Sequence, residues 1–160
     1  MKKVSLFASL CMGLGCAQAA DWKLVNKTDT VAAYFDEQGI ARTQNKIKLW
    51  ALWDYASTQK IDGAPQKEYL SLKELSYYDC AERTRAAVQA VFYPGAFGMG
   101  ESIETTVRDP SKVLFVDVVP DSLGEFMLNR ACAMARQKFS PSPESAAAAS
   151  KPAASKKPRR

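Results

Sequence analysis

The 160-residue chain contains no histidine. That removes the commonest general base, every Ser-His-Asp or Cys-His arrangement, and the usual nitrogen ligand of zinc. It has no G-x-S-x-G, Walker or dinucleotide-binding pattern either. No apolar run reaches the roughly 20 residues of a spanning helix. Cysteine is scarce: of four, Cys11 and Cys16 fall within the first nineteen residues, leaving Cys80 and Cys132. These two are not in a C-x-x-C arrangement, so a dithiol redox site is not indicated. The absences point to a chain that binds without catalysis, cofactor or metal.

What is present begins with an export signal. Lys2 and Lys3 precede an uncharged apolar run, Val4 to Gly15, and Ala17-Gln18-Ala19 offers small residues for cleavage before Ala20. Gly13-Leu14-Gly15-Cys16 resembles a lipoprotein box, with Cys16 as the lipidated residue, although Gly13 stands where Leu is wanted. The expected location is the periplasm or cell surface, with outer-membrane association if Cys16 is lipidated.

The formal charge of +5 is unevenly placed. Segment 140–160, rich in Pro, Ala, Ser and Lys, carries five basic residues against Glu144 and reads as a disordered tail. Contact with an anionic envelope polymer and a solvated spacer are both open for it. The body, 20–139, has 15 basic and 16 acidic residues, which gives no electrostatic footprint for nucleic acid. Its 120 residues suit one domain.

Within the body, Trp22 to Asn26, Val31 to Asp36 and Ile40 to Thr43 read as short strands. Lys46 to Tyr55 is the clearest strand: Ile47, Leu49, Ala51, Trp53 and Tyr55 share a core face, and Lys46, Lys48, Trp50, Leu52 and Asp54 share a mixed one. Ile61 to Gln66 reads as a loop. Residues 81–90 carry helix formers, but Tyr77-Tyr78 and Val91-Phe92-Tyr93 bracket them with β-favouring residues, so strand is preferred and helix stays open. In the strand reading Cys80, Thr84, Ala86, Val88, Ala90 and Phe92 share one face, with Glu82 as the exception, while Arg83, Arg85 and Gln89 share the other. Pro94 to Gly100 reads as a flexible connection. Ser102 to Val107 reads as an edge or half-buried strand and Val113 to Val119 as a central one. Ser122 and Glu125 open a helix in a capping pattern, with Leu123, Phe126, Met127, Ala131 and Met134 on its apolar face. The fold class is α+β: an antiparallel sheet of about six strands with a C-terminal helix packed on it.

After export, Cys80 and Cys132 are expected to form a disulfide from the helix to a strand. Asp79 with Glu82, and Glu101 with Glu104, are the carboxylate pairs on hand, and they read better as solvated charges. The candidate partner contacts are Trp50 with Lys48, as an aromatic on a mixed face, and Arg83 with Arg85, which could hold an anion or an acidic patch, or simply form surface salt bridges.

A signal peptide, a Trp soon after it, the strand Ile47-Lys48-Leu49-Trp50-Ala51-Leu52-Trp53-Asp54-Tyr55, the Tyr78-Asp79-Cys80 stretch with a following Arg, and a closing Pro120-Asp121-Ser122 helix carrying Cys132 together resemble the surface-adhesin protein E family. The resemblance spans about Trp22 to Cys132. It implies an antiparallel sheet with the helix docked on it and a helix-to-sheet disulfide. It also implies an outer-membrane surface protein that binds host matrix and serum proteins and can form a homodimer; the expected partner of this chain is a host matrix or envelope protein. The expected function is that of an exported bacterial envelope or surface binding protein. The alternative is a periplasmic binding or inhibitor module acting on a cell-wall enzyme.

Overall fold

A computed structural model of the chain describes residues 20–140. Residues 1–19, with the expected export signal and Cys16, and residues 141–160 of the expected tail lie outside the described residues. Within them the chain builds one antiparallel sheet and one helix. The strands are β1 (Trp22–Lys27), β2 (Val31–Asp36), β3 (Ala41–Thr43), β4 (Lys46–Ile61), β5 (Ala64–Asp79), β6 (Thr84–Tyr93), β7 (Glu104–Val107) and β8 (Val116–Asp117), followed by α1 (Leu123–Phe139). The sheet therefore has eight strands rather than six, in the order β1-β2-β4-β5-β6-β7, with β3 paired to β4 and β8 to β6.

The alternation in β4 is realised as read. Ile47, Leu49 and Ala51 are buried beneath the helix together with Ala33 and Phe35 of β2 and Tyr78 of β5. From α1 come Met127, Leu128, Ala131, Cys132, Met134 and Ala135. Fully burying each large side chain contributes roughly 1.5–3 kcal/mol. Phe126, read as part of the apolar face, is instead 54 % exposed. It sits about 100° round the helix from Met127, and Leu128 takes the core position.

Of segment 81–90, residues 84–90 are strand, as preferred, and 81–83 form the turn before it. Ala86 and Val88 are buried and alternate with Arg85 as read, but a register shift after Ala87 moves Ala90 and Phe92 to the Arg85 side. Arg85 pairs with Tyr78, and so lies on the helix-bearing face, while Ala86 pairs with Tyr77 on the opposite one. The helix does not reach β6, so that face can carry an arginine there. Val113 to Val119 is not a central strand. Only Val116–Asp117 pairs, at the edge of β6, and Leu114 is 82 % exposed. Apolar composition alone made it look buried. Ile61 to Gln66 is not a loop but a tight reversal at Asp62-Gly63, where Gly63 has φ +78, joining the two long strands. Pro94 to Gly100 is an ordered segment with one 3-10 turn at Ala96–Gly98, docked on the sheet.

The β4–β5 hairpin is irregular at its far end. Its register shifts between Asp54 and Gln59 and again between Lys60 and Ile61. Extra residues on one strand bend it and increase its twist. The bent tip brings Ile61 into burial and places Lys67 in an ion pair with Glu104 of β7.

Helix α1 is capped as the sequence indicates, with one difference. Ser122 Oγ accepts a hydrogen bond from the Glu125 N–H at 3.3 Å, but Glu125 Oε2 reaches back to the Asp121 N–H rather than that of Ser122. Cys80 and Cys132 form the disulfide, with Cα atoms 5.8 Å apart.

Candidate binding surfaces

The turn that carries Cys80 is built by Asp79. Its side chain is 4 % exposed, and Oδ1 accepts from the N–H groups of Ala81 and Glu82, both at 3.1 Å. Oδ2 meets Lys46 Nζ at 2.9 Å. The Lys46 ammonium, and then the turn amides against the opposing effect of burial, hold the carboxyl below the usual Asp range. Arg83 leaves the turn with φ 55 and forms an ion pair with Glu125 in the first turn of α1. Asp79 is thus a structural cap, not half of an acid–base pair. Glu104 is likewise committed to Lys67, which holds its carboxyl below the usual range. Among the described residues no three Cys, Asp or Glu side chains converge to hold a metal, and no helix is long and apolar enough to cross a membrane.

The four candidate contact residues are divided between the two faces of the sheet. Lys48 and Trp50 lie on the helix-free face. They stand opposite Tyr77 and Leu75 of β5 in register, with Leu52 opposite Lys73 further along. All three of Lys48, Trp50 and Tyr77 are half-buried. The 3-10 segment covers one end of this face. Phe97 packs edge-on against Tyr34 at 5.1 Å, and its N–H donates to Asp54 Oδ1 at 2.7 Å. Ser71 Oγ donates to Gly95 O and accepts from the Gly98 N–H. Gly98, at φ +73, lies so close to Lys73 that a Cβ there would stand 2.6 Å from Lys73 Cε. Lysines lie over aromatic rings on this face: Lys73 over Tyr93 and Lys46 over Phe115, each at 4.8 Å. With Asp79 and Asp54 engaged, the remaining character is basic and aromatic. Lys48 has no ion-pair partner among the described residues.

Arg83 and Arg85 are on the helix side and do not share a patch. Arg83 is taken by Glu125. Arg85 pairs with Glu74 and stacks over Trp53 at 5.8 Å, while Ser76 Oγ donates to Glu74 Oε1 at 2.8 Å. Around this pair, burial raises the phenol pKa of Tyr55 and of Tyr78. Both arginines are therefore structural ties first. The sequence reading missed Lys73 and Tyr77 as companions of Trp50. Extending the period-two count through Lys73, Leu75 and Tyr77 would have found them.

The sequence profile of the surface-adhesin protein E family matches residues 22–133. No curated protein sequence matches the chain. Among solved structures, protein E from non-typeable Haemophilus influenzae is similar at 20 % identity and a TM-score of 0.48, covering 79 % of this chain and 86 % of that one. A second crystal form of Haemophilus influenzae protein E is similar at 17 % identity and a TM-score of 0.48, covering 63 % and 80 %. Its selenomethionine form is similar at 15 % identity and 0.47, covering 72 % and 93 %. With the profile satisfied from Trp22 to Ala133, most of its length, the chain belongs to the surface-adhesin protein E family.

Proposed function

We propose that the protein is an exported bacterial surface adhesin that binds a macromolecular partner, of the host matrix or the envelope, without catalysis. Family membership supports the class. The observation that carries the surface assignment is the strip Lys48–Trp50–Tyr77 on the sheet face that the helix leaves uncovered. A half-buried aromatic beside an unpaired lysine provides apolar area at low entropic cost together with a charge that steers approach. The partner it fits presents an acidic patch around an apolar centre.

The test has two arms. The protein from Ala20 onward is titrated over immobilised extracellular-matrix proteins and over isolated envelope polymer, with Trp50→Ala and Lys48→Glu in parallel. Saturable binding that each substitution weakens at least tenfold, with thermal unfolding still cooperative, is the expected result. Binding unaffected by both substitutions removes this strip from the function. Protease treatment of intact producing cells forms the second arm. Full protection of the chain there overturns the surface location and favours a periplasmic module.

A further inference from the structure

The helix-bearing face holds a second feature, remote from Trp50. Beyond the helix, the bent hairpin tip overhangs β6 and β7 and encloses a cavity of about 520 Å³. Its apolar walls include Ile61, Tyr69, Leu72, Ala90 and Phe92. The Tyr69 ring meets those of Tyr55 and Phe92 edge-on at 5.7 and 4.9 Å, so this wall is a fixed aromatic stack. A neighbouring cavity of about 500 Å³ lies under the 108–116 segment, bounded by Lys112, Val113, Leu114 and Val116. The two cavities share Ala87 and Arg108 and so form one trough along β6.

Charge in the trough is mostly settled. Arg85 is matched by Glu74, and Lys112 lies 3.7 Å from Asp109. Lys60 and Asp62 both line the tip and together add no net charge. Arg108, where the cavities meet, has no carboxylate partner among the described residues. Apolar walls on both sides of one unmatched guanidinium complement a chain with one carboxylate between apolar groups. The trough follows a strand, and its combined length suits an extended backbone better than a compact small molecule.

We infer that this trough binds an extended peptide segment of a partner protein, with one acidic side chain on Arg108 and apolar side chains seated toward Tyr69–Phe92 and toward Val113–Val116. It is independent of the Lys48–Trp50 strip, being on the other face of the sheet.

A phage-displayed library of random 12-residue peptides, panned on the protein from Ala20 onward, tests it. Selected peptides are expected to carry one Asp or Glu flanked by apolar residues and to perturb the amide resonances of Ala87, Ala90 and Arg108. Arg108→Glu should weaken them at least tenfold and transfer preference to versions with Lys at the acidic position. Ala87→Trp, which fills the floor, should also abolish binding, whereas Trp50→Ala should not alter it. Peptides that perturb the Trp50 face, that tolerate Arg108→Glu, or that are outcompeted by uronic-acid oligosaccharides would overturn the inference, as would failure to select any.

Discussion

Removing the Cys80–Cys132 bridge is the sharpest perturbation this fold offers. The two residues are 52 apart in sequence. Cross-linking a loop of that length lowers the entropy of the unfolded chain enough to stabilise the folded one by about 4 kcal/mol. A described domain of this size loses roughly 15 °C of Tm for that change, given about 2 cal/mol/K of unfolding entropy per residue. The comparison is between the native protein and one carrying Cys80→Ser with Cys132→Ala. Cys80 is exposed and tolerates a hydroxyl, whereas Cys132 is buried and takes an apolar replacement. Urea unfolding followed by tryptophan fluorescence measures the difference, and the same titration in reductant supplies the control. The double variant should still fold, because Met127, Leu128 and Ala131 stay buried whether or not the sulfurs are joined. It should be indifferent to reductant, while the native protein should fall to near its level. A difference below about 1 kcal/mol would refute the unfolded-state reasoning. Equal sensitivity of both proteins to reductant would refute the bridge itself.

Three further outcomes follow from the same contacts. Asp79→Asn removes a charge-assisted pair with Lys46 and weakens the acceptor for two turn amides, at about 1–3 kcal/mol near neutral pH. Because the folded carboxyl is held below its ordinary value, that stability is present above about pH 4 and disappears as pH falls through the lower folded value, where the denaturation midpoints of the two proteins should converge. Ser122→Ala should cost about 1 kcal/mol through the lost helix cap, seen as a lowered Tm with unchanged far-UV spectrum in the cold. Ser71→Ala leaves the Gly98 N–H and Gly95 carbonyl without their shared partner, so hydrogen exchange at Gly98 should accelerate more than at the β4 amides.

The elements that announced themselves in the sequence are those whose signal is internal. Strand β4 shows its alternation within ten residues, and the helix shows its cap in Ser122 and Glu125. The bridge needed only export and two remaining cysteines. Where the structure departs, the deciding partner lies elsewhere in the chain. Leu114 and Val116 are as apolar as a core strand, yet only Val116 and Asp117 pair with β6, opposite Arg85 and Thr84, before Pro120 ends the run. The facing of Arg85 is set by its register with Tyr78, and no local pattern in 81–90 contains that register. The trough was illegible for the same reason, since it depends on register shifts that exist only between two strands.

Those shifts answer a geometric problem set by the helix. Its ties all lie at one end of the sheet: Cys132 and Glu125 to the β5–β6 turn, Arg130 to Glu37 after β2, and Lys138 to the carbonyls of Gln38 and Ile40 before β3. A helix with its side chains is about 10 Å across, whereas strands of 16 residues run about 50 Å. The far end of the same face therefore receives no cover from α1. Leu72, Phe92 and Ala90 would stand open to water there if the hairpin ran straight. Bending its tip back over them supplies the cover, at the expense of ladder hydrogen bonds near Tyr55 to Thr58. The cavity beneath the tip is bordered by β4, β5, β6, β7 and Arg108 and by no residue of α1. The position of the disulfide thus sets which part of the sheet the helix can cover.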